Sequence, residues 1–419
     1  MVPQTRDGRQ PELAAGEDEA TTVKEFYERY PYPRPTDDLD NYRRRWQDPN
    51  RRRADFHLFW PDKPYTEERT TLIAGCGTLQ AAKHAARCPA ARVIGIDFSA
   101  TSVRHTEDLK RKYDLSNLAV HQLSIDRVGD LELTFDEIVC TGVLHHLANP
   151  EAALRALRDV LDPDGAMHLM VYAPYGRAGV YMLQEFCRRI GIQASDDEIR
   201  DLVVALSALP AAHPLVRLLR DAPDFRQEAA LADALLNPQD RAYSVPQFFD
   251  FIRGAGLTFS RWVRQAPYSP RCGVMAQVPH ASRIAALEPA QQYAVAELFR
   301  GTIMSHSVIV RRDDRAGSSE IIGFFGDAWL DYVPVRVPDT LCVQERLPPG
   351  AVAVLINRAH TYTDIYLPID ATEKRLVDAI DGERTIEEIA GDEQRDVCRA
   401  LFERLWWHDQ VVFDGSRRR

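Results

Sequence analysis

The chain has 419 residues, 45% of them hydrophobic and 27% charged, with a formal net charge of -10 at pH 7. Such a chain is globular and long enough for about two or three domains, and its acidic balance argues against nucleic acid as a partner. No apolar run approaches the roughly 20 residues that span a bilayer, and no signal peptide opens the chain, so we expect a cytoplasmic protein without a membrane partner. Seven cysteines without CxxC spacing fit a reducing compartment and argue against a bound metal.

The N-terminal region is predicted to contain a disordered tail, residues 1–20, and an arm, residues 21–66. In the arm, the short helix TVKEFYERY is followed by PYPRP, whose three prolines impose an extended chain that can carry aromatic rings across a surface. One interpretation is that Phe26, Tyr27, Tyr30 and Tyr32 form an aromatic lid over the cofactor or substrate, with the three tyrosines contacting the substrate. The other is an arm that only packs on the following domain.

Two arginine clusters lie within the arm, in the sequence NYRRRWQDPNRRR of residues 41–53. They are interpreted either as the solvated ends of helices or as forks that recognise an anionic substrate or RNA phosphate.

A strand, a glycine turn, a helix and a second strand are predicted between Thr71 and Ala100. The turn is Gly75-Cys76-Gly77, whose glycines let the backbone bend and approach a ligand closely. Asp97 ends the second strand, where the carboxylate of a nucleotide-binding unit accepts hydrogen bonds from ribose hydroxyls. Gln80 replaces the third glycine of a dinucleotide fingerprint, so a ligand without phosphate fits this turn better than a pyrophosphate does.

Further motifs follow in a fixed order: FDEIVCTGVLHHL at residues 135–147, an amphipathic helix opened by Pro150, and LDPDG at residues 161–165 before an apolar strand. With GCG and GID, this series closely resembles the class I S-adenosylmethionine-dependent methyltransferases, over about residues 68–270. The resemblance implies an α/β fold with a doubly wound, Rossmann-like core of seven strands. It also implies S-adenosylmethionine as methyl donor, S-adenosylhomocysteine as product, and no metal.

The resemblance assigns a cofactor site residue by residue. Gly75 and Gly77 would pass under the methionine part of the cofactor, Asp97 would bind the ribose, and Phe98 would lie against the adenine. The contact to the adenine amino group could come from Ser124, from the Ile125 backbone or from Asp126. The remaining cofactor-binding residues are those of the glycine turn and the end of the fourth strand: Cys76, Gln80, Thr141, Gly142 and Val143.

This sequence departs from the family pattern at three positions. Ile73 and Ser124 stand where many members carry an acid, and Leu79 stands where a further glycine is frequent. The cofactor's ammonium group must therefore find other acceptors, such as backbone carbonyls or a residue of the N-terminal segment.

Polar residues just beyond the fourth and fifth strands are the candidates for catalysis and substrate binding, because open α/β sheets bind ligands at the carboxyl ends of their strands. His145 or His146 could act as a base near neutral pH, or both could be structural or cap a helix. Tyr172 and Tyr175 are the other candidate bases. Arg177 and Tyr181 are assigned to the substrate, although each of these last four residues could equally be a packing or surface residue.

The rest of the chain divides into a helical cap and two C-terminal parts. Residues 67–280 are predicted to form the methyltransferase domain, with a cap at 175–240 that builds the substrate pocket. A β-rich region, 281–370, includes a predicted strand at Ser307 to Arg311. Residues 371–419 are similar to PqqD-like winged-helix domains, with Asp381-Gly382 and the sequence TIEEI at residues 385–389 carrying the similarity.

The PqqD-like resemblance implies that the last module grips a peptide by adding a strand to a sheet edge. Alternatively the module is a structural or homodimerising appendage, while its many acidic residues would repel a DNA backbone. Three functions remain open for the whole chain: a methyltransferase acting on a small molecule of specialised metabolism, a peptide or protein methyltransferase, and a non-catalytic protein that binds the cofactor. We predict the first of these and keep the other two as alternatives; Ile73 and Ser124, in place of the frequent acids, suggest the last.

Overall fold

The structure is a computed structural model that describes residues 26, 28, 29, 38–221, 228–314 and 322–417. Its first helices are α1 (Asp40–Trp46) and α2 (Pro49–Phe59). The side chain of Asp48 caps α2 by accepting a hydrogen bond from the backbone N–H of Asn50 at 2.9 Å, with proline at the first helical position. Local sequence therefore fixes where α2 begins.

A seven-stranded sheet forms the core, with strand order β3-β2-β1-β4-β5-β7-β6. Its strands are β1 (Thr70–Ala74), β2 (Arg92–Asp97), β3 (Leu118–Gln122), β4 (Phe135–Thr141), β5 (Leu161–Tyr172), β6 (Leu257–Trp262) and β7 (Ser305–Arg312). The first five strands pair in parallel, while β7 runs antiparallel to both β5 and β6. The predicted doubly wound core of seven strands is confirmed.

Helices cover both faces of this sheet. They are α3 (Gln80–Arg87), α4 (Ala100–Tyr113), α5 (Pro150–Asp159), α10 (Val245–Gly254) and α12 (Pro289–Arg300); the short α11 (Ala281–Ala285) precedes α12 and buries none of its residues. The apolar stripe of α5, with Ala153, Leu154 and Leu157, is buried against the central strands, as its amphipathic pattern predicts. No helix in the described ranges is long and apolar enough to cross a membrane.

The boundary predicted after residue 280 needs correction, because β7 lies between β5 and β6 in the central sheet. The strand predicted at Ser307 to Arg311 is therefore part of the core and not of a separate β-rich region. The core sheet extends to Arg312, and β7 places Ser305 beside Tyr172 of β5.

The segment predicted as a helical cap contains four helices: α6 (Ala178–Ile190), α7 (Asp196–Ser207), α8 (Pro214–Asp221) and α9 (Glu228–Leu236). They share a small apolar core of their own, which includes Val180, Leu202, Leu215 and Leu231. Ser195 caps α7 by accepting the Glu198 N–H at 3.4 Å, as the sequence predicts.

The C-terminal unit combines a three-stranded sheet, a two-stranded sheet and three helices around one apolar core. Its elements are β8 (Val333–Arg336), β9 (Thr340–Val343), β10 (Ala353–Asn357), β11 (Leu367–Ile369), α13 (Ala371–Asp378), α14 (Ile386–Ala390), α15 (Arg395–Trp407) and β12 (Val411–Asp414). Because β8 pairs with β12, the unit begins well before the predicted boundary at residue 371. The likeness to PqqD-like domains stays a prediction.

Helix α2 joins the C-terminal unit to the core sheet. Phe56 and Phe59 pack against β5 and β7, while Ala54 is buried in the core of the C-terminal unit. The arginines of the two clusters pair within the chain: Arg45 and Arg51 with Asp339, Arg52 with Glu67, and Arg53 with Asp414. They hold parts of the molecule together, which neither sequence interpretation anticipated.

Glu137 of β4 provides a test of how much a buried ion pair stabilises the fold. It is 1% exposed, and the Arg69 Nε donates to its carboxylate at 2.7 Å, while the nearest Arg87 nitrogen lies at 3.7 Å. Burial alone would raise the pKa of Glu137, but Arg69 and Arg87 lower it to about 2. Glu137→Gln should therefore lower the free energy of unfolding by about 3–5 kcal/mol, since it leaves the buried Arg69 without its carboxylate partner, whereas Arg87 keeps Asp55.

Denaturant unfolding would measure this effect. Asp250→Asn, which breaks an exposed ion pair with Arg253, is the control and should change the free energy by less than about 0.5 kcal/mol. Equal small effects for both variants would contradict a role for Glu137 in stability.

Candidate functional site

A cavity of about 630 Å³ lies where β1, β2, β4 and β5 end, beneath the cap. This volume falls within the range of about 300–1,000 Å³ that small-molecule sites occupy. Many predicted residues line it: Gly75, Cys76, Gly77, Gln80, Asp97, Phe98, Thr141, Gly142, Val143, His146, Tyr172 and Arg177. The structure therefore brings the glycine turn, the end of β2 and the end of β4 into one site.

The glycine turn is shaped so that side chains are excluded. Gly75 and Gly77 have φ of 68° and 54°, in the left-handed region that favours glycine. A Cβ on Gly75 would lie 2.5 Å from the Cγ2 of Val143. The absence of a side chain at Gly75 therefore lets Val143 approach the turn closely.

The Asp97 carboxylate connects the turn to the end of β2. Its Oδ2 accepts the Gly77 N–H at 2.8 Å, and its Oδ1 accepts the Ser99 N–H at 2.9 Å. Burial raises the pKa of Asp97 to about 6, although the two backbone N–H groups act in the opposite direction. Each oxygen retains a lone pair for a further hydrogen bond, so the carboxylate can accept hydroxyl donors of a ligand.

The end of β4 is fixed by side chains and backbone together. The Gln80 amide donates to the Thr141 hydroxyl at 2.6 Å, which ties the start of α3 to β4. The Gly142 N–H donates to the Met170 carbonyl at 3.2 Å, with φ of 79° at Gly142. Gln80 thus positions a wall of the cavity in the place where a dinucleotide site would have a glycine.

The adjacent residues His145 and His146 occupy different environments. His146 lines the cavity, and its Nδ1 lies 2.7 Å from the Gln239 carbonyl, which can only accept. In a neutral imidazole this contact places the proton of His146 on Nδ1 and the lone pair on Nε2. His145 is 1% exposed and stacks on Tyr172 with ring centroids 3.9 Å apart. Burial lowers the pKa of His145 well below its usual value, so it stays neutral.

Arg177 closes the cap side of the cavity. Its guanidinium lies 3.5 Å from the Tyr172 ring centroid and 3.3 Å from the Asp240 carboxylate. Its Nε also donates to the Tyr181 hydroxyl at 3.2 Å. Burial and Asp240 raise the pKa of Tyr181 to about 12, so this phenol keeps its proton.

Some predicted site residues lie elsewhere. Four do not line the cavity: His145, Tyr181 and Ile125 are packed among other side chains, and Ser124 is an exposed hydrogen-bond partner of Asp126. Tyr175 is 44% exposed and also lies outside the lining, although Arg177 two residues later is part of it. The predicted substrate residues Tyr27, Tyr30 and Tyr32 lie outside the described residues.

The sequence predictions also missed residues that line the cavity. They come from α1, α3, the β5–β7 wall and the cap: Tyr42, Leu79, Lys83, His84, Ser102, Leu147, Met170, Leu218, Ala230, Asp233, Ala234, Met304 and Ser305. Lys83 and His84 could have been found, since they follow Gln80 at the i+3 and i+4 positions of one helical face. The cap residues carry no signal of this kind in the sequence.

The N-terminal segment contacts both the core and the cap. The Glu28 carboxylate accepts hydrogen bonds from the Ala100 N–H at 2.7 Å and from the Thr101 hydroxyl, at the start of α4. Phe26 is buried against Ile199 and Ala232 of the cap. This segment therefore bridges the two parts that enclose the cavity.

Gly75→Ala provides a test of the turn geometry. The new methyl group would meet Val143 and force a residue with a Cβ into the left-handed region, so we expect the free energy of unfolding to fall by about 2–5 kcal/mol. Gly129→Ala, where no atom lies within 4 Å of the new Cβ, should be nearly neutral. In denaturant unfolding, Gly75→Ala combined with Val143→Ala should be more stable than Gly75→Ala alone. If it is not, the contact with Val143 is not the cause.

Comparisons with known proteins agree with this geometry. Residues 72–167 match the model of a methyltransferase domain family. An uncharacterised protein of Synechococcus sp. is 31% identical over 259 residues, which cover 59% of this chain and 61% of that protein. A ubiquinone biosynthesis O-methyltransferase of Neisseria meningitidis is 31% identical over 124 residues, which cover 26% of this chain and 51% of that protein. The matches thus span less than two thirds of either relative.

A solved structure extends the similarity beyond the core. PKMT2 from Rickettsia typhi, solved in complex with AdoHcy, has a TM-score of 0.61 and 16% identity, covering 88% of this chain and 75% of that chain. At this identity the match shows a shared fold, and its coverage reaches beyond residues 72–167. The order of the strands, the glycine turn and the matched family model together identify residues 72–167 as a class I S-adenosylmethionine-dependent methyltransferase domain.

Proposed function

We propose that the protein is a methyltransferase that uses S-adenosylmethionine to methylate a small molecule of specialised metabolism. One observation carries the proposal: the buried Asp97 carboxylate, held by the N–H groups of Gly77 and Ser99, lines the same cavity as the glycine turn, His146 and the cap. A nucleoside site and a potential base therefore share one enclosed space.

The residues present fit the proposed cofactor. Gly75 and Val143 pack closely and both line the cavity, and Asp97 keeps lone pairs for the two ribose hydroxyls. Phe98 and Ser102 line the same part of the cavity. When bound, S-adenosylmethionine supplies an electrophilic methyl group on a sulfonium ion. This chain has to orient the acceptor and exclude water.

His146 is the candidate general base. The Gln239 carbonyl fixes its tautomer, so that Nε2 carries the lone pair that can take a proton from an oxygen or carbon acceptor. Tyr172 lines the cavity, but its ring lies between His145 and Arg177, which favours a packing role. An amine that is already deprotonated in solution would need no base.

The cap supports a small substrate. Leu218, Ala230 and Ala234 supply an apolar roof from α8 and α9, and Arg177 closes the wall between them and Tyr172. Phe26 packs in the cap and Glu28 accepts a hydrogen bond at the start of α4, so these two residues link the cap to the domain beneath it without lining the cavity. A substrate that enters beneath this roof is shielded from water.

A peptide or protein substrate is the second candidate. Strand β9 lies at the end of the three-stranded sheet in the C-terminal unit, paired with β10 on one side. An edge strand of this kind can accept an extended peptide by strand addition. In this alternative the C-terminal unit recruits the substrate and the cavity receives one side chain.

Asp97→Asn tests the cofactor site. Asparagine cannot offer two acceptor oxygens, so the affinity for S-adenosylhomocysteine should fall by about 10- to 100-fold in calorimetry. The wild-type affinity should also fall as pH drops from 7 to 5, because protonation of Asp97 near its pKa of about 6 removes an acceptor. Asp97→Asn should show a flatter pH dependence.

Asp130→Asn, which changes an exposed carboxylate beside Arg127, is the matched control and should bind like the wild type. Failure of the wild-type protein to bind S-adenosylhomocysteine at pH 7 would overturn the proposed function.

His146→Asn tests the base. The asparagine amide can keep the hydrogen bond to Gln239 while the lone pair of Nε2 is lost. Turnover should therefore fall by about 10²- to 10⁴-fold for an oxygen or carbon acceptor, with unchanged affinity for S-adenosylhomocysteine. Mass spectrometry of methylated products in a host extract would measure it, with the exposed His121→Asn as control. Full turnover in His146→Asn would exclude His146 as the base.

A further inference from the structure

Lys83 extends into the part of the cavity that the sequence analysis left unassigned. It lies on α3, on the same face as Gln80 and His84, and all three residues line the cavity. Its amine lies 5.7 Å from the ring centroid of Tyr42 on α1. Lys83 is thus enclosed between the helix that follows the glycine turn and the N-terminal helix that covers it.

The Lys83 amine has no carboxylate partner. In the part of the chain that the structure describes, no acidic oxygen lies within 4.0 Å of it. Burial lowers the pKa of the Lys83 amine, as expected for a cation that is removed from water without a compensating charge. The contact with the Tyr42 ring compensates only part of the hydration free energy that the amine loses on burial.

The other charged residues that line the cavity already have partners. Arg177 lies 3.3 Å from Asp240, and Asp97 accepts two backbone N–H groups. Asp233 accepts from the Asn237 amide at 3.4 Å. Among these four charged lining residues of the described ranges, Lys83 is therefore the one with neither a hydrogen bond nor an ion pair to another residue.

We propose that Lys83 is a binding residue for a carboxylate of a ligand in the cavity. The inference rests on the proposed function, since it places an anionic group in the methyl-transfer site. A single ammonium matches the single charge of a carboxylate, whereas the turn lacks the third glycine that a phosphate cradle requires. The carboxylate can come from two sources: the amino-acid part of the methyl donor or an acidic substrate.

The donor arm of the test compares two probes that share an adenosine. S-adenosylhomocysteine carries the carboxylate, while 5′-methylthioadenosine lacks the whole amino-acid part. If the donor is the source, Lys83→Met should lower the affinity for S-adenosylhomocysteine by about tenfold or more in calorimetry, because a charge-assisted hydrogen bond is lost. The affinity for 5′-methylthioadenosine should stay unchanged in Lys83→Met. Lys83→Arg should recover part of the lost affinity for S-adenosylhomocysteine.

The substrate arm uses protein saturated with S-adenosylhomocysteine. If neither adenosine probe distinguishes Lys83→Met from the wild type, the loaded proteins are titrated with benzoate and with benzamide, followed by ligand-observed NMR. Binding of benzoate but not of benzamide by the wild type, with loss of benzoate binding in Lys83→Met, assigns the carboxylate to the substrate.

Lys110→Met, on α4 and paired with Glu107 at 3.8 Å, is the matched lysine control, and unfolding curves show whether each variant is folded. The inference would be overturned if Lys83→Met lowered the affinity for S-adenosylhomocysteine and for 5′-methylthioadenosine equally. It would also be overturned if Lys83→Met changed the binding of none of the four probes, the two adenosine compounds, benzoate and benzamide. If the wild type binds S-adenosylhomocysteine in either case, the proposed function stands without it.

Discussion

The site depends on one carboxylate that is bound by two backbone N–H groups. Asp97 accepts from Gly77 and from Ser99, so it joins the turn after β1 to the start of α4 and fixes the distance between them. This arrangement requires a left-handed Gly77 and a buried acid, and burial raises the pKa of Asp97 to about 6. A ligand whose hydroxyl groups donate hydrogen bonds to Asp97 replaces the hydration that the carboxylate lost on burial. The cost of burying Asp97 is thereby coupled to ligand binding.

The parts of the chain outside the central sheet are organised around this point. Glu28 lies at the start of α4, close enough to Asp97 to contribute to its raised pKa, and the same segment reaches the cap through Phe26. Helix α2 packs on the other end of the sheet and carries the C-terminal unit, with Arg53 paired to Asp414 at 3.2 Å. The N-terminal region therefore contacts every other part of the molecule, although it contributes no strand to the core sheet in the described ranges.

Local patterns predicted the core well because its motifs are contiguous. The glycine turn, Asp97 and the end of β4 were placed correctly, since each follows a buried parallel strand whose carboxyl end must reach the same edge. The boundary at residue 280 was wrong because β7 pairs antiparallel after a long interval, which no local pattern signals. Tyr175 was expected in the site, yet it is 44% exposed and does not line the cavity. Residues such as Asp233 and Met304 enter the site only through tertiary packing.

The pair His145 and His146 shows why a motif does not assign chemistry. Both residues lie in the short 3₁₀ turn Leu144–His146, where consecutive side chains point in different directions. One ring is directed into the packing against Tyr172, where burial keeps it neutral, while the other lines the cavity with its tautomer fixed by a carbonyl. That carbonyl belongs to Gln239, just after the last helix of the cap and distant in sequence. The cap therefore does more than cover the site, because its return to the sheet supplies the hydrogen-bond partner of His146 Nδ1.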